Sequence, residues 1–435
     1  MIQKTKICLI LSFIFQGLPA YARTVKATPA NYLSQLKKLK PGDTLQLKKG
    51  NYTKGFRIRG IHGKKGKPIS ILGDSGKTIL LGRRGSNTMD LTDCSWIIIK
   101  NLTFDGQNFP VDAIKAGKDS SKGVHHITID SNLIIRHGAN QQIVGISSKV
   151  PAWDWLICNN IILGAGTGIY LGNSDGNQPF IRGIIENNII KDPLGYCMQV
   201  KHQNSRPKVP GIPIETASTI IRYNFFIKSD KHGKDGLRPN LLVSGYPDSG
   251  PGAKDRYEIY GNIFSHNTRE SLFQGTGTIS LHDNIFLDAQ ETAIRIMTHN
   301  RKKPLDIRIY HNTFFKVGTA VKISGLNDGP NKMVKGNLLI VNKKITWPGN
   351  MVFSGDKGIK KMSQPSLSFG EMDFQLKKVT RKKDYKIDKK ILDEDADSKL
   401  DFWQQSKNSF DHCGAISKAF KKAKPVDLVI RKTTK

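Results

Sequence analysis

The sequence is poor in several features that define common protein classes. It has only 5 cysteines in 435 residues and no Cys-x-x-Cys pair, which argues against a disulfide scaffold and against a structural zinc site. Beyond the first 22 residues, no apolar run approaches the roughly 18 residues of a membrane-spanning helix. Glycine is frequent, at 41 residues, and no heptad pattern persists, which excludes a coiled coil.

Acidic residues are also scarce, since 36 Asp and Glu stand against 68 Lys and Arg, a formal net charge of +32. Short apolar runs recur along the chain, so the composition is that of a folded protein and not of a disordered one. A basic surplus of this size indicates a polyanionic partner, which can be nucleic acid, acidic lipid or acidic polysaccharide.

The N-terminal residues narrow the choice of polyanionic partner. Residues 1–22 contain Lys4 and Lys6, an apolar stretch from Ile7 to Leu18, and the cleavage pattern Ala20-Tyr21-Ala22. This order is typical of a signal peptide. We therefore expect a periplasmic or secreted monomer with no membrane span after cleavage. Nucleic acid is then an unsuitable partner, and an acidic polysaccharide is the leading one.

One short pattern, an apolar alternation followed by Asn and another apolar pair, recurs at intervals of 22 to 38 residues. Such a period predicts a β-solenoid with one coil per repeat. At each turn the Asn is expected to adopt the left-handed conformation and to bond the Asn of the next coil. A β-sandwich with Asn-rich loops is the alternative. The recurring residues are Asn101, Asn132, Asn160, Asn188, Asn224, Asn262, Asn284, Asn312 and Asn337.

The predicted fold is therefore all-β, a single-stranded right-handed parallel β-helix over residues 23–340. An amphipathic stretch at residues 31–40 predicts an N-terminal capping helix, because a solenoid must cover its end strands. Residues 341–435 lose the Asn repeat and are rich in lysine. They are predicted to form a C-terminal extension that is partly packed on the helix.

The two longest repeats, of 36 and 38 residues, are adjacent. We predict that the functional site lies on these two repeats. Their extra residues fall at 201–217 and 229–256, and loops on rigid scaffolds commonly carry function. Lys201 and Arg238 lie beside strands of the same outward-facing sheet, one coil apart. Adjacent coils are about 4.8 Å apart, so both cations are expected to reach one ligand group.

Several segments resemble polysaccharide lyase family 6, which contains alginate lyases and chondroitinase B. The segment from Pro41-Gly42-Asp43 to Pro68-Ile69 is similar to the start of that family's β-helix. Lys201-His202-Gln203-Asn204 is similar to the motif with the family's catalytic base, and Leu237-Arg238-Pro239-Asn240 to the motif with its catalytic arginine. The resemblance implies catalytic roles for Lys201 and Arg238.

The family also places acidic residues before the base lysine to hold Ca²⁺. In this sequence those positions are Tyr196, Cys197, Met198 and Gln199, so calcium is implied by the resemblance while its ligands are not matched. No metal-binding residue is therefore assigned.

The predicted chemistry is β-elimination on a uronate. Lys201 would remove the proton on C5 once neighbouring cations had lowered the pKa of its amine. Arg238 would neutralise the carboxylate or assist the leaving oxygen. The further residues expected to bind substrate are His202, Asn204, Arg206, Arg222, Tyr170, Arg295 and His299.

Two other functions compete with the lyase. A noncatalytic β-helix could bind an acidic glycan or an envelope surface through the same cations. A glycoside hydrolase would need a pair of carboxylates on the outward sheet, and the sequence offers none there. The fold alone does not decide between these functions.

Overall fold

Short apolar runs form the strands, and each strand pairs in parallel with the strand one coil further along the chain. The computed structural model is thus an all-β parallel β-helix, as predicted. It describes residues 22–325, 331–341, 347–419, 422 and 424–428. Residues 1–21 of the predicted signal peptide lie outside the described residues. Each coil supplies strands to three columns, called here the first, second and third sheets.

The long strands Ile285–Ile296 and Thr313–Ile323 run through a corner of the coil and join the second sheet to the third. The first sheet contains Thr24–Ala27, Thr44–Leu47, Ile69–Leu72, Cys94–Lys100, Val124–Asp130, Ala152–Trp153, Leu156–Cys158, Phe180–Ile181, Ile184–Glu186, Ser218–Arg222, Arg256–Tyr260, Ile279–His282, Asp306–Tyr310 and Asn331–Lys335. The second contains Gly50–Tyr52, Thr78–Leu81, Thr103–Asp105, Leu133–Ile135, Ile161–Leu163, Ile189–Lys191, Phe225–Ile227, Ile263–Asn267, Leu338–Val341 and Met351–Ser354, with the first parts of the long strands. The third contains Phe56–Arg59, Met89–Thr92, Ile114–Ala116, Val144–Ser148, Thr167–Leu171, Met198–Val200, Leu241–Val243 and Phe273–Gly275, with the last parts of the long strands.

A ladder of buried asparagines runs along one corner of the coils. The side-chain amide of Asn188 donates to Oδ1 of Asn224 at 3.0 Å, and the same Oδ1 accepts the backbone N–H of Asn188 at 3.0 Å. This bond between equivalent asparagines recurs from Asn132 to Asn350. The predicted bonding between coils is therefore present, with two differences from the sequence prediction. Leu102 occupies the position expected for Asn101, and Asn350 adds an unforeseen last member.

The predicted backbone conformation of the ladder residues was wrong. The left-handed residue is the one that precedes each ladder asparagine, as at Asn187 with a φ of 55° and Tyr223 with a φ of 59°. The reason is geometric, because the asparagine must turn its amide inward to reach the next coil while the preceding residue makes the corner. Asn101 itself has a φ of 58° and is one of these corner residues.

Apolar side chains from the three sheets fill the interior. Phe226, Phe264, Phe286 and Phe314 stack coil upon coil with ring centroids 4.7 to 5.1 Å apart. Stacked rings bury large areas while keeping the coils in register. The four described cysteines, Cys94, Cys158, Cys197 and Cys413, are all buried and unpaired.

The C-terminal region covers the outside of the stack. Phe374, Phe402 and Ile416 pack with the outward apolar residues of the second sheet, such as Phe225 and Phe315. Burial of this apolar face removes it from water and holds the region in place. The region contains the antiparallel strands Met362–Gln364 and Asp373–Leu376, the helices Gly355–Ile359 and Lys389–Glu394, and the 3₁₀ helix Lys383–Tyr385.

Helices are few and short throughout. Within the predicted capping segment, residues 31–40, the helix spans Tyr32–Leu36, and Tyr32 and Leu36 are buried in the core. Within the described part of the chain, no helix is long and apolar enough to cross a membrane.

Candidate active site

The outward side chains of the third sheet form a column along the stack, because the register pairs equivalent positions on each coil. Tyr170 aligns with Ser147 on one side and with Gln199 on the other. The column is mostly polar, and four of its ten members are basic. Its members in chain order are Arg57, Asp90, Lys115, Ser147, Tyr170, Gln199, Leu242, Gln274, Arg295 and Lys322.

Near the middle of this column lies a cleft of about 460 Å³. It spans the width of the third sheet and is walled by loops from several coils. Its lining is dominated by polar and charged side chains. The lining residues are Asn87, Pro110, Asp112, Lys115, Gln141, Gln142, Ile143, Val144, Lys149, Thr167, Tyr170, Ser174, Tyr196, Gln199, Lys201 and Arg238.

Lys201 enters the cleft from one edge of the third sheet. It directly follows the strand Met198–Val200, and its backbone N–H donates to the carbonyl of Leu171 at 2.9 Å. Its amine lies 5.8 Å from the centroid of the Tyr170 ring. Burial, together with the positive charge of Arg238, lowers the pKa of this amine. A neutral lysine amine can accept a proton, so the environment favours the function of a base.

Arg238 enters the same cleft from the opposite edge, in the loop that leads to the strand Leu241–Val243. Two backbone carbonyls fix its guanidinium, those of Leu237 at 2.9 Å and Asp235 at 2.7 Å. The amine of Lys228 bonds the carbonyl of Arg238 itself at 2.8 Å. The cation is therefore held in position although no carboxylate pairs with it among the described residues.

Two tyrosines lie beside these cations. The guanidinium carbon of Arg238 lies 5.6 Å from the centroid of the Tyr196 ring. Burial raises the pKa of Tyr196, and the charge of Arg238 acts against that rise. Burial also raises the pKa of Tyr170, against a hydrogen bond with Ser174. Both phenols are thus protonated at neutral pH and can donate a hydrogen bond or a proton.

Lys149 is a cleft residue that the sequence reasoning missed. Its amine lies 3.1 Å from the centroid of the Tyr170 ring, a close cation–π contact. Burial and the nearby charges of Lys115 and Lys201 lower the pKa of Lys149 to about 8, although Asp112 and Asp175 act in the opposite direction. The register of the third sheet was the available signal, since it aligns residue 149 with residue 201 two coils away.

Four of the predicted substrate-binding residues lie near the cleft without lining it. Nδ1 of His202 accepts a hydrogen bond from the amide nitrogen of Asn300 at 2.7 Å, and Nδ1 of His299 lies 3.5 Å from the amide nitrogen of Gln274. Burial and the charge of Lys201 lower the pKa of both histidines. Asn204 holds the 175–177 turn through two hydrogen bonds, and Arg295 lies further along the third sheet, 3.9 Å from Glu270.

The remaining two predicted residues are placed elsewhere. The side chain of Arg206 is only 2% exposed and forms an ion pair with Asp255 that ties the two inserted loops together. Arg222 projects from the first sheet, where it pairs with Glu186 at 2.7 Å and Asp397 at 2.9 Å. Neither arginine lines the cleft, and Tyr170 is the only residue of the predicted substrate-binding set that does so among the described residues.

The donor groups of the cleft do not fit a calcium site. Calcium requires several oxygen ligands, mostly carboxylates, whereas Asp112 is the one carboxylate of the described lining. That carboxylate already bonds Lys115 at 3.1 Å and the N–H of Val144 at 2.8 Å. Cys197 and Met198, two of the positions where the family holds its acids, are buried in the core. No cluster of three potential metal ligands occurs in the described part of the chain.

No protein-family profile matches the sequence, and no curated protein matches it either. Solved structures that resemble the fold include alginate lyases of polysaccharide lyase family 6, the family that the sequence resembles. A variant of AlyGC, an alginate lyase of that family, is 17% identical with a TM-score of 0.48, over 83% of this chain and 54% of that one.

Two further structures have a similar architecture. An alginate lyase from Paenibacillus sp. str. FPU-7 is 16% identical with a TM-score of 0.40, over 68% of this chain and 99% of that one. The lacto-N-biosidase from Eubacterium ramulus, a GH136 enzyme, is 11% identical with a TM-score of 0.41, over 69% and 67% of the two chains. At these identities the likeness concerns the fold alone, so the function has to be argued from the cleft.

Proposed function

We propose that the protein is an exported lyase that cleaves a uronate-containing polysaccharide by β-elimination. The observation that carries the proposal is the convergence of Lys201 and Arg238 on one cleft, where Arg238 helps to lower the pKa of the Lys201 amine. A lysine with a lowered pKa next to an unpaired arginine is a suitable arrangement for removing a weakly acidic proton.

The reaction divides into a base side and a leaving-group side. Lys201 takes the proton from C5 of the uronate, and the electrons of that C–H bond form the C4–C5 double bond while the bond from C4 to its oxygen breaks. The phenol of Tyr196 gives a proton to the departing oxygen. Arg238, which faces the Tyr196 ring, stabilises the resulting phenolate. The Lys201 ammonium and the phenolate then return to their starting states by proton exchange with water.

The excess of positive charge supports an acidic polymer as the substrate. The cleft contains Lys115, Lys149, Lys201 and Arg238 against the single carboxylate of Asp112. The column continues beyond the cleft to Arg295 and Lys322 in one direction and to Arg57 in the other. An extended polyanion would therefore meet favourable charge over several coils.

Ultraviolet absorbance of the unsaturated uronate tests the reaction directly. The purified protein is mixed separately with alginate, polygalacturonate, chondroitin sulfate, dermatan sulfate and heparin, and we expect product from at least one of them. Lys201→Met and Arg238→Gln should each lower the rate at least about 100-fold. Lys26→Met is the matched control, because it removes an exposed cation of the first sheet, outside the third-sheet column and the cleft.

A noncatalytic glycan-binding protein is the second candidate, favoured by the same basic column. Binding to one of these polymers with no absorbance change on any of them would support it and refute the lyase. The proposed periplasmic or secreted location and monomeric state are tested separately, by N-terminal sequencing of the fractionated protein and by light scattering. An N-terminus at Met1 in the cytoplasm would contradict export.

A further inference from the structure

A second lysine lies on the same edge of the cleft as Lys201. Lys149 directly follows the third-sheet strand Val144–Ser148, as Lys201 follows Met198–Val200. The register places residues 149, 172 and 201 at equivalent positions of three successive coils. The two lysine backbones are thus two coils apart, which is about 10 Å.

The residue between them is Gly172, whose φ of 86° lies in the left-handed region that favours glycine. A Cβ atom at this position would approach the Cβ of Lys201 to 3.3 Å. Glycine adds no side chain between the two lysines, and both of them line the cleft together with Tyr170. Their nitrogens lie 3.1 Å and 5.8 Å from the centroid of that one ring. A small anionic group bound in the cleft beside this ring would be close to both amines.

The charge of Lys149 is not neutralised within the described protein. Among the described residues, no carboxylate lies within ion-pairing distance of its amine, and Asp112, the one carboxylate of the described cleft lining, is paired with Lys115. Its closest contact, the face of Tyr170, attracts a cation without forming an ion pair with it. A desolvated cation without a counter-ion is costly unless a ligand supplies one.

Elimination from a uronate needs such a cation, because the C5 proton becomes acidic only when the adjacent carboxylate is neutralised. Many enzymes use a divalent metal ion for this purpose, but the cleft lacks the donors to hold one. We propose, building on the elimination proposed for this site, that Lys149 is the residue that binds and neutralises the substrate carboxylate. Lys201 is then the base, and Arg238 with Tyr196 serves the leaving oxygen.

This assignment restricts the ligand class to uronates with a free carboxylate. A methyl-esterified or carboxyl-reduced sugar would leave Lys149 without its counter-ion and should bind poorly. It also predicts that elimination proceeds in the presence of a metal chelator. The competing interpretation is that Lys149 only supports the cleft wall by packing on Tyr170.

The experiment compares Lys149→Met and Lys149→Arg with the wild-type protein and with Lys26→Met, a first-sheet variant outside the column, as the control. Alginate and galacturonate oligosaccharides and their carboxyl-reduced forms are the ligands, and both binding by calorimetry and elimination by absorbance are measured. Thermal unfolding verifies that each variant is folded.

We expect wild-type protein to bind the carboxylated oligosaccharides at least about 10-fold more tightly than the reduced ones, and Lys149→Met to lose that preference. In elimination, Lys149→Met should lose about 100- to 1,000-fold in kcat/KM. Lys149→Arg should keep most of the activity and extend it to higher pH, since arginine stays protonated. Addition of EDTA should change none of these values.

Two results would overturn the assignment. One is a folded Lys149→Met protein that keeps both the preference for carboxylated ligands and its kcat/KM within about threefold. The other is a wild-type protein that binds carboxylated and reduced ligands equally. A wild-type protein that prefers carboxylated ligands through Lys149 but produces no unsaturated uronate would instead refute the lyase and leave the carboxylate site standing.

Discussion

The ammonium of Lys407 donates a 2.7 Å hydrogen bond to Oδ2 of Asp283, although neither side chain is more than 2% exposed. Asp283 is a corner residue of the coil stack, whereas Lys407 belongs to the C-terminal region, 124 residues later. Lys407 also donates to the carbonyl of Ser398 at 2.8 Å. A buried ion pair thus connects the C-terminal region to the coils.

Replacement of Lys407 by methionine should destabilise the protein strongly. The substitution keeps the side-chain length but leaves the Asp283 carboxylate buried without its cation, which typically costs about 3–5 kcal/mol. Urea unfolding should show the loss, and limited proteolysis should release the C-terminal region first. Lys386→Met is the control, because Lys386 is exposed in the same region. Equal urea midpoints for the two variants would show that the pair does not hold the region.

The same cluster predicts a loss of stability in mild acid. Burial and the nearby charge of Lys407 lower the pKa of His412 from 6.5 to about 4, with Arg381 acting in the same direction and Asp283 against it. The unfolded chain therefore binds a proton that the folded one does not. This contribution to stability is fully present above pH 6.5 and is lost as the pH falls towards 4.

Urea unfolding between pH 7.5 and 4.5 should show no contribution from such a histidine above about pH 6.5, and below it a slope that approaches about 1.4 kcal/mol per pH unit. His412→Phe keeps the ring stacked on His311, with which His412 makes a 4.1 Å centroid contact, but removes the titrating group. The slope should become smaller in this variant. An unchanged slope would assign the acid sensitivity to other residues, of which His311, whose pKa is also lowered by burial, is the next to test.

The asparagine ladder should tolerate no interruption in the middle of the stack. Asn224 accepts two bonds from Asn188 and donates to Oδ1 of Asn262 at 3.0 Å. Asn224→Ala leaves the buried backbone N–H of Asn188 without its acceptor and removes the side-chain donor to the carbonyl of Ile185, and each buried group that loses its partner costs about 1–3 kcal/mol. Thermal or urea unfolding measures the effect, and Asn51→Ala, at an exposed strand position, is the control. Similar losses in both variants would show that the ladder adds no particular stability.

On the acidic side of the pH profile, the elimination rate should rise as the Lys201 amine loses its proton. Because its pKa is lowered by burial and by Arg238, kcat/KM should rise with pH at values below the ordinary range for lysine. Arg238→Gln removes one of the two causes, so this rise should shift to higher pH even though the variant is much slower. A rise that stays in place after this substitution would mean that another group is the base.

Periodic features could be read from the sequence, and long-range pairings could not. The Ile-x-x-Asn frame repeats along the stack, so it predicted the solenoid and the hydrogen bonds between asparagines of successive coils. Asn101 was misassigned by one residue because corner and ladder positions both accept asparagine. Only the backbone geometry distinguishes them.

The cleft was predictable in part. Lys201, Arg238 and Tyr170 were found from loop position and strand alternation, and all three line it. Arg206 and Arg222 were misplaced because their acidic partners lie far along the chain, as with Asp255, 49 residues from Arg206. Lys149 follows a strand in a coil without an insertion, so nothing in the local sequence marked it. Its position depends on the alignment of coils.

The ladder also governs how such a protein can diverge. From Asn132 to Asn337, each coil contributes one ladder asparagine whether its repeat has 22 or 38 residues, so additional residues leave the stack as loops and do not alter the rise between coils. The distance between the backbones of Lys149 and Lys201 is therefore fixed in whole coil steps, while the loops that wall the cleft can lengthen or change sequence freely. Substrate preference can shift by loop exchange alone, with the spacing of the charged groups preserved.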